Sequence, residues 1–199
     1  MILKICGITN QEDAAAAIDA GATAVGFNFY PRSPRYIAPE SAAAIATAAG
    51  VRRVGVFVNE AAGRIEEIAR IARLDTAQLH GDEKPADYPA LTVWKAARVG
   101  EGFDLAHFDT GPAEAVLLDG PAADLYGGSG KSFDWRRARG GGRRIIVAGG
   151  LDASNVRIAA ALARPWGVDA CSRIESAPGK KDHAKMKAFL EAARAALAQ

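Results

Sequence analysis

A cysteine and an aspartate each stand at the end of a short apolar run in this chain. Cys6 ends the stretch LKIC, and Asp119 ends AVLLD. A thiolate can take a proton and a carboxylic acid can give one, so the pair suits general acid–base catalysis. Each residue also has a structural interpretation, because free cysteine is often a small core residue and an aspartate after a strand can cap a loop.

Two further groups of residues suit the binding of an anion. Gly149 and Gly150 end an apolar run and lead into a helical segment, so backbone N–H groups there can bind a phosphate. Their alternative role is a tight turn. Arg35 lies in PRSPRYI, where the prolines stiffen the loop. A rigid arginine suits two-point binding of a carboxylate, although a solvated surface arginine is the other interpretation.

Eight β-rich runs alternate with alanine-rich helical runs and position these residues. Most of the β-rich runs are continuously apolar, which is typical of strands covered on both faces in a parallel sheet. Eight such units favour a single (β/α)8 TIM barrel over 1–199 rather than a doubly wound open sheet. The loops that follow barrel strands carry active sites, so we expect the residues above to meet at one mouth. The predicted strands are 3–7, 24–29, 53–58, 76–80, 92–97, 115–119, 144–149 and 167–172.

The helical segments have recognisable ends, and two connections are weak. Asn10 is expected to cap a first helix that ends at Gly21, and Pro39 to begin a second that ends at Gly50. Further helices are expected within 60–73, 152–163 and 182–198. Proline and glycine interrupt the connections after the fourth and fifth strands, so helices there are expected to be short or missing. The irregular segment 119–132 is expected to be functional, but its YGGSGKS lacks the full Walker spacing of a nucleotide P-loop.

The composition excludes several classes of protein. The 199 residues are 49% apolar and 24% charged with a net charge of +2, which gives no argument for nucleic acid or a membrane surface. The two cysteines, Cys6 and Cys171, imply no disulfide framework. With no signal peptide or spanning run, we expect a cytoplasmic protein with free thiols. The three tryptophans are expected in the core and the pair Lys180 and Lys181 on the surface.

Eight sequence blocks stand in order along the chain: KICGIT, VGFNFYPRSPRYI, VGVFVN, QLHG, LLD, YGGSGKSFDW, AGGL and PGKKD. Together they resemble the phosphoribosylanthranilate isomerase family. The resemblance runs from the first strand to the last helix and so covers essentially the whole chain. It implies a (β/α)8 barrel that isomerises N-(5-phosphoribosyl)anthranilate by an Amadori rearrangement in L-tryptophan biosynthesis, without a cofactor or a metal. The expected product is 1-(2-carboxyphenylamino)-1-deoxyribulose 5-phosphate.

The resemblance also implies roles for individual residues. The catalytic cysteine and aspartate of the family fall on Cys6 and Asp119, and its arginine for the anthranilate carboxylate falls on Arg35. His80, in AQLHG, is expected in the substrate pocket, and no cysteine or histidine lies at metal-ligand spacing from it. The phosphate of the small phosphosugar substrate is expected to bind at the loops after strands seven and eight, with Gly149, Gly150, Ser172 and Arg173.

One block departs from the family pattern. The segment after the eighth strand reads CSRIE, with Arg173 where the family often has glycine. If that position needs a positive φ, an arginine is costly there and the local backbone should differ. Alternatively, the side chain points outward or reaches the phosphate as an added cation.

Two other functions are weighed against the isomerase. The analogous isomerase of histidine biosynthesis is longer, has half-barrel repeats and has an aspartate where this chain has Cys6. A non-catalytic phosphosugar-binding barrel would not need an acid and a base on opposite sides of the pocket. The sequence leaves a monomer and a homodimer open.

The two cysteines suggest a redox hypothesis. Cys6 and Cys171 end strands one and eight, which are neighbours in a closed barrel. Adjacent strands lie about 4.8 Å apart, and disulfides accept Cα separations of about 4.4–6.8 Å. We predict that oxidation links the two residues and inactivates the enzyme. The alternative is that their side chains point to opposite faces.

Overall fold

The computed structural model describes residues 1–120, 132–139 and 142–198, and within these ranges eight parallel strands close into a barrel. Each strand pairs with the next, and the last pairs with the first through the register Ile5 to Ala170. The predicted TIM-barrel fold is confirmed, and each predicted strand is present within two residues of its expected ends. The strands are β1 Ile2–Cys6, β2 Ala24–Asn28, β3 Arg52–Phe57, β4 Thr76–Leu79, β5 Thr92–Arg98, β6 Ala115–Asp119, β7 Ile145–Val147 and β8 Gly167–Ala170.

The strands are apolar in both alternating positions because both of their faces are buried. Outward residues such as Ile5 and Phe27 pack in the large core between the strands and the surrounding helices. Inward residues such as Trp94 and Leu117 form a second core inside the barrel. The inner core fills the lower part of the barrel, so the residues at the carboxyl ends of the strands are left to form the mouth.

Helices cover the barrel unevenly. Within the described ranges, the connections after β4 and β5 contain no α-helix, only a short 3₁₀-helix at Pro85–Asp87, as expected from their proline and glycine. The prediction for segment 119–132 lies mostly outside the described residues. No described helix has both the length and the apolar character needed to span a bilayer. The α-helices are α1 Gln11–Asp19, α2 Pro39–Ala44, α3 Ala62–Ala72, α4 Val156–Ala163 and α5 His183–Leu197.

Of two helix ends predicted from the sequence, the start of α1 is confirmed and the end of α2 is wrong. Asn10 caps α1 as predicted, since its Oδ1 accepts a hydrogen bond from the N–H of Asp13 at 2.8 Å. The prediction that the second helix reaches Gly50 is wrong, because α2 ends at Ala44. Arg53 provides the physical reason: its guanidinium is buried and donates to the carbonyls of Ala42 and Ile45 at 2.6 and 2.8 Å. These carbonyls therefore have partners without further helical turns.

A small hairpin follows β8. Its strands are β9 Glu175–Ala177 and β10 Lys180–Lys181, which pair antiparallel. The expectation that the lysine pair lies on the surface is wrong for Lys181, whose side chain is fully buried beside Glu175. Its N–H also donates to Asp13 Oδ2 at 2.8 Å, so the hairpin is tied to α1. The ion pair with the buried carboxylate of Glu175 compensates for the lost hydration of the ammonium group and accounts for the burial of Lys181.

Candidate active site

All eight residues that the sequence predicts for the site line one pocket at the carboxyl ends of the strands. The pocket holds about 790 Å³, counting space open to solvent. The structure thus brings together residues that lie as far apart in sequence as Cys6 and Arg173. The predicted residues in its wall are Cys6, Arg35, His80, Asp119, Gly149, Gly150, Ser172 and Arg173.

Cys6 lies buried at the tip of β1 in surroundings that favour a thiolate. A hydrogen bond from the Cys171 thiol lowers its pKa well below the usual value, and the positive charges of Lys4 and Lys181 act in the same direction against burial. The same hydrogen bond, together with burial, raises the pKa of Cys171. Both shifts act in the direction of a thiolate at Cys6 and a thiol at Cys171. Gly26 opposite leaves room for the sulfur, since a Cβ there would lie 2.9 Å from Cys6 Sγ.

Asp119 lies at the tip of β6, three strands around the ring from Cys6. Its Oδ1 accepts a hydrogen bond from the N–H of Gly120 at 2.8 Å, which fixes the carboxyl group in the mouth. Its Oδ2 lies 3.5 Å from Nε2 of His80, which is too long for a good hydrogen bond. The Gln78 amide contacts the other ring nitrogen of His80 at 3.2 Å. His80 is thus held between Gln78 and Asp119 in the wall of the pocket.

Arg35 forms part of the pocket wall but already has a carboxylate partner. Its Nε and Nη2 donate to the two oxygens of Glu175 at 2.9 and 2.7 Å. Lys181 Nζ donates to Glu175 Oε1 at 2.8 Å. Although burial opposes ionisation, the two cations hold the pKa of Glu175 below its usual value. Two cations face one carboxylate, so this wall carries a net positive charge.

The loops after β7 and β8 offer backbone donors. Gly149 and Gly150 have φ angles of +78° and +65°, a region that favours glycine. No hydrogen bond within the described residues uses the N–H groups of Gly149, Gly150 or Ser172. The α4 N-terminus follows, and Asn155 holds the loop by donating to the Gly150 carbonyl at 2.7 Å. These donors can bind an anionic group.

Arg173 fits its position without backbone strain. Its φ is not positive, so the position does not demand the glycine that the family often has there. The side chain is half-exposed and pairs with Asp152, with 2.9 Å between Nη1 and Oδ2. It lines the pocket from this position. The cost of a positive φ therefore does not arise, and a contact between the side chain and the phosphate stays a prediction.

Sequence reasoning missed the charged residues beneath and beside the site. Lys4 and Asp169 are buried at inward positions of β1 and β8, two residues before Cys6 and Cys171. The signal was present, because a charged residue inside an apolar strand sequence needs a buried partner. Glu175 and Lys181 gave no such signal. Within the described ranges, no cluster of three or more His, Cys, Asp or Glu side chains is placed to hold a metal ion.

Comparison with known proteins gives a consistent answer. The family model described as N-(5′-phosphoribosyl)anthranilate (PRA) isomerase matches residues 3–192. The N-(5′-phosphoribosyl)anthranilate isomerase of Solibacter usitatus is 72% identical over 198 residues, which cover 99% of each chain.

Two solved structures match with a TM-score of 0.82 and 39% identity, and cover 98% of this chain and 100% of their own. One is phosphoribosylanthranilate isomerase in complex with reduced 1-(o-carboxyphenylamino)-1-deoxyribulose 5-phosphate. The other shows monomers of the dimeric phosphoribosylanthranilate isomerase of Thermotoga maritima. With its barrel, its pocket and these matches, the chain belongs to the N-(5′-phosphoribosyl)anthranilate isomerase family.

Proposed function

We propose that this enzyme, an N-(5′-phosphoribosyl)anthranilate isomerase of tryptophan biosynthesis, uses Cys6 as general base and Asp119 as general acid. The observation that carries the proposal is their placement. A cysteine in surroundings that favour its thiolate and a carboxyl group line the same pocket from β1 and β6. A small sugar bound between them has the general base on one side and the general acid on the other.

The chemistry follows from these two groups. Asp119 gives a proton to the ring oxygen of the ribose, the C1′–O bond breaks, and the ring opens to an iminium. The positive iminium acidifies the C2′ proton, which the Cys6 thiolate takes. The resulting enolamine tautomerises to the ketone, so the product has the atoms of the substrate. Each proton transfer by a positioned group contributes about 10²- to 10⁴-fold to the rate.

The remaining pocket residues bind the two anionic ends of the substrate. Arg35 attracts the anthranilate carboxylate, and the net positive charge of its wall supports this role. The phosphate binds to the N–H groups of Gly149, Gly150 and Ser172, with Arg173 at the rim. His80 contacts the substrate beside Asp119. The relative solved with a reduced 1-(o-carboxyphenylamino)-1-deoxyribulose 5-phosphate supports a phosphosugar ligand.

Turnover of N-(5′-phosphoribosyl)anthranilate by the purified protein tests the assignment. Cys6→Ser and Asp119→Asn should each lower kcat by about 10²- to 10⁴-fold, because each removes one proton-transfer group. Asp104→Asn is a matched control, since Asp104 is exposed and its partner His107 is exposed as well. Full activity of Cys6→Ser would contradict the base assignment. An inactive wild type that binds a product analogue would favour a phosphosugar-binding barrel.

The enzyme acts as a monomer or a homodimer. A dimeric relative from Thermotoga maritima supports the homodimer. Sedimentation equilibrium of the purified chain distinguishes the two assemblies by mass.

A further inference from the structure

Lys4 is a fully buried lysine inside the barrel, one layer below Cys6. Its side chain has no solvent exposure. Alternate residues of a strand face the same side, so Lys4 and Cys6 both point to the barrel interior. Burying an ammonium group is costly unless a partner compensates for lost hydration. The proposed acid–base chemistry does not use this lysine directly, so its burial needs another explanation.

The ammonium lies close to two groups. Its Nζ donates to Asp169 Oδ2 on β8 at 3.0 Å. It also lies near the Cys6 sulfur: a Cβ at Gly26 would meet Lys4 Nζ at 3.0 Å and Cys6 Sγ at 2.9 Å. Because Gly26 has no side chain, the ammonium and the sulfur share the space beside β2. Lys4 therefore has an anionic neighbour on β8 and a second, ionisable one above it.

We propose that Lys4 is a positioning residue that holds Cys6 as a thiolate, and that Asp169 fixes the ammonium in place. The proposal rests on the proposed role of Cys6 as the base. It explains why a charged pair is retained inside the barrel, where apolar residues of similar size would often serve stability as well.

The charge states of the pair support this role. Burial disfavours a charged lysine, but Asp169 and Cys6 together raise the pKa of Lys4, so it stays protonated. Burial raises the pKa of Asp169 to about 8 despite the nearby lysine. The Lys4 ammonium is thus paired with Asp169 on one side and lies close to the Cys6 sulfur on the other.

Other ionisable groups also face Cys6, so the effect of Lys4 must be measured against them. The second cation near the sulfur belongs to the hairpin, and Cys171 supplies a hydrogen bond. These groups remain in place when only Lys4 is changed. The ionisable groups around Cys6 are Lys4 on β1, Asp169 and Cys171 on and after β8, Glu175 on β9, Lys181 on β10, Arg35 after β2, and His80 and Asp119 across the pocket.

The test measures the pKa of Cys6 in the free protein. Iodoacetamide alkylation is followed by mass spectrometry against pH in a Cys171→Ser background, which keeps a hydrogen-bond donor and leaves Cys6 as the only cysteine. Lys4→Met should raise the thiol pKa by about one unit or more, since an opposite charge within about 4–6 Å shifts a pKa by 1–3 units. Asp169→Asn should not raise it.

The two variants distinguish positioning from simple structural support. If the pair only stabilises the fold, both variants break the same ion pair and the Cys6 pKa stays unchanged in each. An unchanged pKa in Lys4→Met, or an equal rise in both variants, overturns the proposal. Should Lys4→Met fail to fold, the double variant Lys4→Met/Asp169→Asn removes both members of the pair and is expected to show the same raised pKa.

Kinetics separate this proposal from the proposed function. In Lys4→Met, kcat should fall with little change in KM, and the acid limb of its pH profile should move to higher pH. If Cys6→Ser remains active, the base assignment fails while the thiol pKa measurement still decides the effect of Lys4. A Lys4→Met protein with an unchanged thiol pKa contradicts the proposal even if the enzyme works as proposed.

Discussion

Arg35 and Glu175 form a two-point ion pair in the wall of the pocket, with Nε to Oε1 at 2.9 Å and Nη2 to Oε2 at 2.7 Å. The pair joins the loop after β2 to the hairpin after β8. It holds the guanidinium in one orientation and leaves Nη1 outside the pair. A guanidinium fixed in this way suits the proposed binding of the anthranilate carboxylate.

Loss of Arg35 should weaken substrate binding through the anthranilate carboxylate. A hydrogen bond to a charged group is worth about 1.5–3 kcal/mol, so Arg35→Met should raise KM by about 10- to 150-fold. Steady-state kinetics measure the change. A substrate analogue without the carboxylate is the control, and its KM should respond much less. Equal effects on both substrates would show that Arg35 does not bind the carboxylate.

Loss of the Cys171 thiol should shift the pH dependence of catalysis. The hydrogen bond from Cys171 is the largest cause that lowers the pKa of Cys6. The base must be deprotonated, so activity is lost as pH falls through this pKa. Cys171→Ala should therefore move the acid limb of kcat to higher pH. Cys171→Ser keeps a donor and should move it less, whereas identical profiles for wild type and Cys171→Ala would exclude this hydrogen bond as a cause.

Mild oxidation should inactivate the enzyme reversibly. Cys6 and Cys171 follow paired residues of β1 and β8, and both are free thiols in the structure. A thiolate at Cys6 favours disulfide formation with the neighbouring thiol. Thiol titration should fall from two groups to none as activity is lost, and a reductant should restore both. The Cys171→Ser variant should resist inactivation by the same oxidant. Two thiols that persist in inactivated wild-type protein would refute the disulfide.

Gly149 should be required for the position of Asp119. A Cβ at Gly149 would lie 2.7 Å from Asp119 Oδ1, and its φ of +78° strains other residues. Gly149→Ala should lose about 1–3 kcal/mol of stability and also activity, because the carboxyl group must move. Gly50→Ala is the matched control for Gly149→Ala, because Gly50 has a similar φ of +84° but a Cβ there would have nothing within 4 Å. The Gly50→Ala variant should lose stability but keep its kcat. Urea unfolding measures the stability of both variants and steady-state kinetics measure kcat. An unchanged kcat in Gly149→Ala would contradict the prediction.

The barrel and the mouth of the pocket were predictable from the sequence for a physical reason. Strands covered on both faces must be apolar throughout, so runs such as AVLL stand out, and the polar residue that ends each run marks the mouth. Asp119 and Cys6 were found in this way. The resemblance to a family then assigned them roles.

The buried ionic partners were not predictable because their contacts form only in the folded chain. Lys181 follows another lysine and looks like a surface residue. In the structure it is buried, and it donates hydrogen bonds to Glu175 through Nζ and to Asp13 through its backbone N–H. The early end of α2 depends on Arg53, which reaches back to its carbonyls. In both cases the contact depends on how the chain turns back on itself, and no helical or strand periodicity indicates which residues then meet.

The buried ion pair of Lys4 has a consequence for the order of events during synthesis. The lysine precedes Asp169 by 165 residues. At about 5–20 residues per second, translation needs on the order of ten seconds or more to cover that interval. Throughout this time the nascent chain holds an ammonium without its counter-ion, so β1 cannot be buried favourably. Closure of the barrel therefore waits for β8, and the proposed activation of Cys6 by Lys4 and Cys171 would begin only then.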